Sequence, residues 1–177
     1  PSTVLKICEY AFHDCANLTK IEIPPNSNLQ IIEKYAFSCS NIKAIFIPSN
    51  VSKICEYAFN YTYNLTKVEI PSNSKLRIIE SYAFSRSSIN RFFIPPTVFE
   101  ICDNAFYDCK NLINVEISPN SDLQIIEKYA FSDSNIEAIF IPPKVLEICS
   151  DAFSNCKNLQ IVEISEESEL TYFPFSA

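Results

Sequence analysis

The chain contains no glycine, no methionine and no tryptophan, and its only histidine is His13. Without glycine there is no Gly-rich loop to cradle a phosphate, and one histidine gives a nucleophilic triad little to build on. The adjacent carboxylates Glu166 and Glu167 read as a solvated turn near the end of the sequence. No catalytic residue and no cofactor is therefore expected. Positive charge is also short, with 14 Lys and Arg against 21 Asp and Glu and a formal net charge of -7. Nucleic-acid binding needs cations on phosphates, and docking on anionic lipid needs clustered ones, so both are set aside. No apolar run approaches the roughly 18 residues of a membrane span, and no charged-then-apolar leader opens the chain. The sequence starts at Pro1 without a methionine, so a segment of a longer array is expected.

What is present is repetition. Ala-Phe recurs with its Phe at 12, 37, 59, 84, 106, 131 and 153, in steps that alternate between 25 and 22. The period is thus a 47-residue pair of unequal coils, and seven copies leave little room for accident. An aliphatic residue stands eight before each Phe, from Val4 and Leu29 to Val145, and an isoleucine stands five before it, from Ile7 to Ile148. After the Phe comes apolar-x-x-apolar-x-apolar, as in Leu18, Ile21 and Ile23, whose last two members have strand spacing and point inward together. Proline marks the strand exit at Pro24, Pro48, Pro71, Pro95 and Pro142, and Ser118 and Ser165 replace it in two coils. Units this short cannot bury an apolar stripe alone, but stacked copies close a continuous core.

The string Leu-x-x-Ile-x-Ile-Pro (Leu18 to Pro24), with Val-x-x-Ile-x-x-x-Ala-Phe (Val51 to Phe59), resembles the BspA-like class of leucine-rich repeats. The usual glycine after the Ile is replaced here by Cys8, Glu33, Cys55, Glu80, Cys102, Glu127 and Cys149. The resemblance implies an α/β right-handed solenoid, residues 1–177 as a single domain. A parallel sheet would line one face, with short helical or 3₁₀ segments such as Glu9 to His13 on the other. It also implies a cell-surface or secreted protein that adheres to host matrix or cell-surface proteins.

The eight cysteines suggest neither a disulfide framework nor a zinc site, because Cys8, Cys55, Cys102 and Cys149 fall two coils apart and no Cys-x-x-Cys occurs. They read as a column of small buried thiols. Counted back from the strand, Cys15 and Cys39 share a column, which makes one bridge conceivable. The asparagine column Asn17, Asn41, Asn64, Asn111, Asn135 and Asn158 is expected to supply left-handed backbone in place of glycine. Among the Asn-x-Ser/Thr sites, Asn50 and Asn60 are the expected glycan acceptors if any is used.

The functional expectation falls on the outward strand positions, which alternate between Glu22, Glu69, Glu116 and Glu163 and the rings Phe46, Phe93 and Phe140. Lys20, Lys67 and Arg91 stand two residues before and give the face mixed charge at one end, against Asn114, Ala138 and Ile161 further along. Exposed rings rimmed by charge mark an interaction site. The competing reading is that the rings cover the stems of Lys20, Lys67 and Arg91 and serve only the sheet. A protein partner, end-to-end self-association of the array, or a spacer role are the alternatives left open.

Overall fold

A two-residue strand forms wherever the isoleucine five positions before a Phe recurs. These are β1 (Lys6–Ile7), β2 (Ile31–Ile32), β4 (Lys53–Ile54), β6 (Ile78–Ile79), β8 (Glu100–Ile101), β10 (Ile125–Ile126) and β12 (Glu147–Ile148). They pair side by side in that order as one seven-stranded parallel sheet. Partners along it are 25 and 22 residues apart in turn, as Lys6 with Ile31 and Ile31 with Lys53. The computed structural model describes residues 2–172 and is a parallel-sheet solenoid of about seven turns.

The strand expected after each Phe forms a second ladder, and this one is broken. β3 (Ala44–Phe46) pairs only with β5 (Lys67–Glu69), while β7 (Arg91–Ile94), β9 (Asn114–Ile117), β11 (Ala138–Ile141) and β13 (Ile161–Ile164) make a four-stranded sheet. The break between β5 and β7 coincides with Phe92, the largest residue in an inward column otherwise held by Ile and Val. Its ring stands edge-on to Phe84 and Phe106 at 5.0 and 4.7 Å.

No helix occurs among the described residues, which corrects the expected helical face. The reason lies in where the backbone bonds go. Phe12, Phe37, Phe59, Phe84, Phe106 and Phe131 each donate their N–H to the Ala carbonyl of the next coil at 2.7–2.8 Å, instead of to a carbonyl four residues back. Two residues per coil also take a left-handed backbone. One column is Tyr10, Tyr35, Tyr57, Tyr82, Asn104, Tyr129 and Asp151, and the other is Asp14, Cys39, Tyr61, Arg86, Asp108, Asp133 and Asn155. All fourteen have φ between 53° and 60°, a region that costs a non-glycine residue about 1–2 kcal/mol. The asparagine column contains none of them. Its members bridge coils instead: Asn64 Nδ2 donates to Asn41 Oδ1, and Asn135 Nδ2 donates to the Lys110 carbonyl at 2.6 Å.

The cost of those corners is offset by stacking. The seven Phe rings of the Ala-Phe dipeptides run face to face at 5.0–5.5 Å, and Phe37, Phe59, Phe84, Phe106 and Phe131 are fully buried. Tyr10, Tyr35, Tyr57 and Tyr82 stack in a parallel file at 4.8–4.9 Å. The aliphatic columns Leu29, Val51, Leu76, Val98, Leu123 and Val145 complete one continuous core. At each strand exit an N–H three residues on closes a turn onto the Pro carbonyl, and Ser118 and Ser165 make the same turn. In the longer turns Ser27, Ser74 and Ser121 are buried, and their hydroxyls accept the N–H of Leu29, Leu76 and Leu123 at 3.2 Å.

Stacking of the Phe file also corrects the cysteine alignment. Three residues past each Phe lie Cys15, Ser40, Thr62, Ser87, Cys109, Ser134 and Cys156, while Cys39 belongs to the left-handed column beside Asp14. The residue added to the longer coils falls after this position, so counting back from the strand misaligns the pair. Cys15 and Cys39 are not bridged, and all eight cysteines are free. Nor is the other column buried, since Cys8 is exposed and Cys55, Cys102 and Cys149 are half-buried. Asn60, expected on the outer face, is 5% exposed and donates to the Ser85 carbonyl at 3.3 Å, so a folded chain cannot present it for glycosylation.

Candidate functional site

Strand alternation positions the candidate face. Phe46, Phe93 and Phe140 sit between buried neighbours, Ile45 and Ile47, Phe92 and Ile94, and Ile139 and Ile141, so all three rings point away from the core. They are half-buried, where a fully exposed row was expected. Glu22, Glu69, Glu116 and Glu163 and the cations Lys20, Lys67 and Arg91 are exposed. The register sets Phe46 opposite Glu69, Phe93 opposite Glu116 and Phe140 opposite Glu163. Rings and carboxylates therefore alternate from strand to strand.

Lys20 pairs with Glu22 at 2.6 Å and Lys67 pairs with Glu69, each within its own segment. Their mutual hydrogen bond raises the Lys20 pKa and lowers that of Glu22. Pairs this exposed add little stability. Arg91 differs: it has no ion-pair partner among the described residues. It lines a hollow of about 470 Å³ over the break between β5 and β7, together with Lys67, Val68, Phe93 and Glu116. A second hollow of about 330 Å³ is lined by Lys20, Glu22, Ala44, Phe46 and Glu69. Each offers an apolar ring beside charges of both signs, the mixture typical of protein contact surfaces.

Sequence reasoning missed two clusters away from this face. Arg86 holds Asp108 at 3.2 Å, lies over the Tyr61 ring at 5.0 Å and donates to the Tyr61 hydroxyl, which fixes the left-handed corners of neighbouring coils. Along the seven-stranded sheet, Glu100, Cys102 and Glu127 bring their ligand atoms within 4.8 Å of one another. Burial, first, and the carboxylates around it push the Cys102 thiol far up, and burial likewise raises Glu127 against the bond it accepts from Asp103 N–H. The signal was legible as a change of residue type down one column: Lys6 and Lys53 give way to Glu100 and Glu147.

A model of the BspA type leucine rich repeat region matches in six copies over residues 1–113 and 77–177. No curated protein matches the chain. Among solved structures, the pneumococcal vaccine antigen PcpA superposes with a TM-score of 0.72 at 23% identity, covering 84% of this chain and 39% of that one. A leucine-rich repeat protein from Bacteroides ovatus superposes with a TM-score of 0.69 at 21% identity, covering 95% and 60%. A leucine rich cell surface protein from Faecalibacterium prausnitzii gives 0.50 at 21% identity, covering 93% and 58%. The chain thus spans less than two thirds of each, and at these identities the likeness establishes the fold.

Proposed function

We propose, from the premise that this chain belongs to the BspA type leucine-rich repeat family, that it is a surface-displayed or secreted module that holds a protein partner on its broken strand face. The observation that carries the reading is the placement of Phe46, Phe93 and Phe140 at outward positions, each set against a carboxylate on the next strand, where alternation alone would tolerate any polar residue. Half-buried rings in shallow hollows lose little conformational entropy when covered, which suits them as anchors. The mixed charge of Lys20, Lys67, Arg91, Glu22, Glu69, Glu116 and Glu163 would orient the partner rather than supply its affinity. A host matrix or cell-surface protein is the partner class the family resemblance favours. The neighbours' descriptions as a vaccine antigen and a cell surface protein support display outside the cell. No helix among the described residues is long and apolar enough to cross a membrane.

In this reading residues 1–177 are one repeat domain within a longer array, the 47-residue pair of coils is its unit, and the chain is a scaffold rather than an enzyme. Val4, Leu5, Ile161 and Ile164, exposed on the first and last coils, leave apolar edges that further coils or a second copy would cover. Half-burial of the rings favours one alternative: that they brace the sheet and the array is a spacer. The Phe46→Ser, Phe93→Ser, Phe140→Ser triple variant separates the two. Capture of matrix and cell-surface proteins lost at unchanged thermal stability supports adhesion, and lost stability with unchanged capture supports the spacer.

A further inference from the structure

The seven-stranded sheet contains three copies of one cradle, and they do not carry the same charge. In the first, Glu33 accepts a hydrogen bond from Glu9 N–H at 3.0 Å through one carboxylate oxygen and holds Lys6 Nζ at 2.8 Å with the other. In the second, Glu80 accepts from Glu56 N–H at 2.9 Å and holds Lys53 Nζ at 2.6 Å, again with its other oxygen. In the third, Glu127 accepts from Asp103 N–H at 2.8 Å, but the register position of the lysine is Glu100. The equivalence is set by the sheet, since Lys6, Lys53 and Glu100 pair with Ile31, Ile78 and Ile125. A cysteine follows two residues after each, at Cys8, Cys55 and Cys102.

Two of the three cradles are thus filled by a tethered cation. The third has lost its ammonium, gained a carboxylate, and gathers two carboxylates and a thiol within 4.8 Å. Among the described residues no neighbour compensates. Lys53 is engaged by Glu80, Lys128 Nζ lies over the Tyr129 ring at 4.9 Å, and the nearby Asp103 and Glu147 add negative charge. We propose that Glu100, Cys102 and Glu127 bind a divalent cation of the zinc class in the place that a lysine ammonium takes in the other two cradles.

The donor set decides the class of ion. One thiolate and two carboxylates suit Zn²⁺ or Co²⁺, with water completing a four-coordinate shell, whereas Mg²⁺ and Ca²⁺ ask for oxygen ligands only. Binding would convert the Cys102 thiol to a metal thiolate and release its proton to solvent, so affinity falls as pH falls. The site lies on β8 and at the exits of β8 and β10, apart from the strands that carry the phenylalanine face, and stands or fails independently of the proposed adhesion.

The test uses the full chain, reduced and stripped of metal, titrated with Co²⁺ and read by the sulfur-to-cobalt charge-transfer absorption. One equivalent should bind with that band, and a tenfold excess of Mg²⁺ or Ca²⁺ should not displace it. C102S should abolish the band and C55S should leave it intact. E100K, which rebuilds the lysine arrangement of the other two cradles and is therefore expected to fold, should weaken binding at least tenfold. Zn²⁺ should raise the Tm of the unaltered chain and not that of E100K. Absence of the band, its loss on changing Cys55 instead of Cys102, or indifference to E100K would overturn the proposal.

Discussion

Phe84 is where the account of stability can be tested most severely. Its side chain is fully buried, stacks on Phe59 at 5.0 Å and Phe106 at 5.4 Å, and meets the edge of Phe92 at 5.0 Å. Truncation to alanine removes a core ring and leaves a cavity, a change that costs about 3–5 kcal/mol. The lost ring–ring contacts place Phe84→Ala toward the upper end. Phe153 belongs to the same file but is half-buried and stacks on Phe131 alone among the described residues, at 5.5 Å. Phe153→Ala should cost roughly half as much, about 2 kcal/mol. Urea unfolding followed by far-ultraviolet circular dichroism measures both, and should be fitted with a nearest-neighbour repeat scheme because coils touch only their neighbours. Equal losses for the two variants, or a loss under about 1 kcal/mol for Phe84→Ala, would refute the stacked-file argument.

Three further outcomes follow. Thiol reagents should find eight reactive groups in the denatured, unreduced chain; in the folded chain Cys8 and Cys39 should react quickly and the buried Cys109 last. Burial pushes the Cys109 thiol from 9.0 up to about 11, so the folded form holds its proton longer than the unfolded one. That contribution, on the order of 2–3 kcal/mol for such a shift, is fully present below about pH 9 and lost as pH rises through about 11. Cys109→Ala should reduce the slope there without abolishing it, because the Cys55 and Cys149 thiols are also pushed up to about 11; an unchanged slope would contradict the burial argument. Asp14, exposed with φ 53°, should tolerate glycine with a gain of up to about 1 kcal/mol in thermal unfolding, whereas Asp14→Val should lose at least that much.

The solenoid was legible because Ala-Phe and the isoleucine columns report burial, which depends on residue type alone. The missing helices were not, because a helix and a succession of turns differ in whether Phe12 N–H bonds within its own coil or to Ala36 of the next, and sequence pattern is blind to that choice. The left-handed corners hid for a related reason. Tyr35 and Tyr57 occupy a region that favours glycine or asparagine, and they do so because their rings stack at 4.8 Å, a contact made only once the coils are assembled. Cys39 was misplaced by one residue, since an insertion can be located only once both flanking columns are aligned. Directions of the outward phenylalanines followed from strand period, but their half-burial and the break beside Phe92 depend on the packing of three coils together. The Glu100 cradle combines residues 27 apart, Glu100 and Glu127, and emerges only when equivalent rungs are compared.

The face proposed for partner binding can be read directly by hydroxyl-radical footprinting of the chain with and without a matrix or cell-surface protein found to bind it. Oxidation of Phe46, Phe93 and Phe140 should fall on binding, while Tyr10 and Tyr63, at 51% and 62% exposure, continue to react as in the free chain. Protection of Tyr10 and Tyr63 with the three phenylalanines unchanged would contradict it.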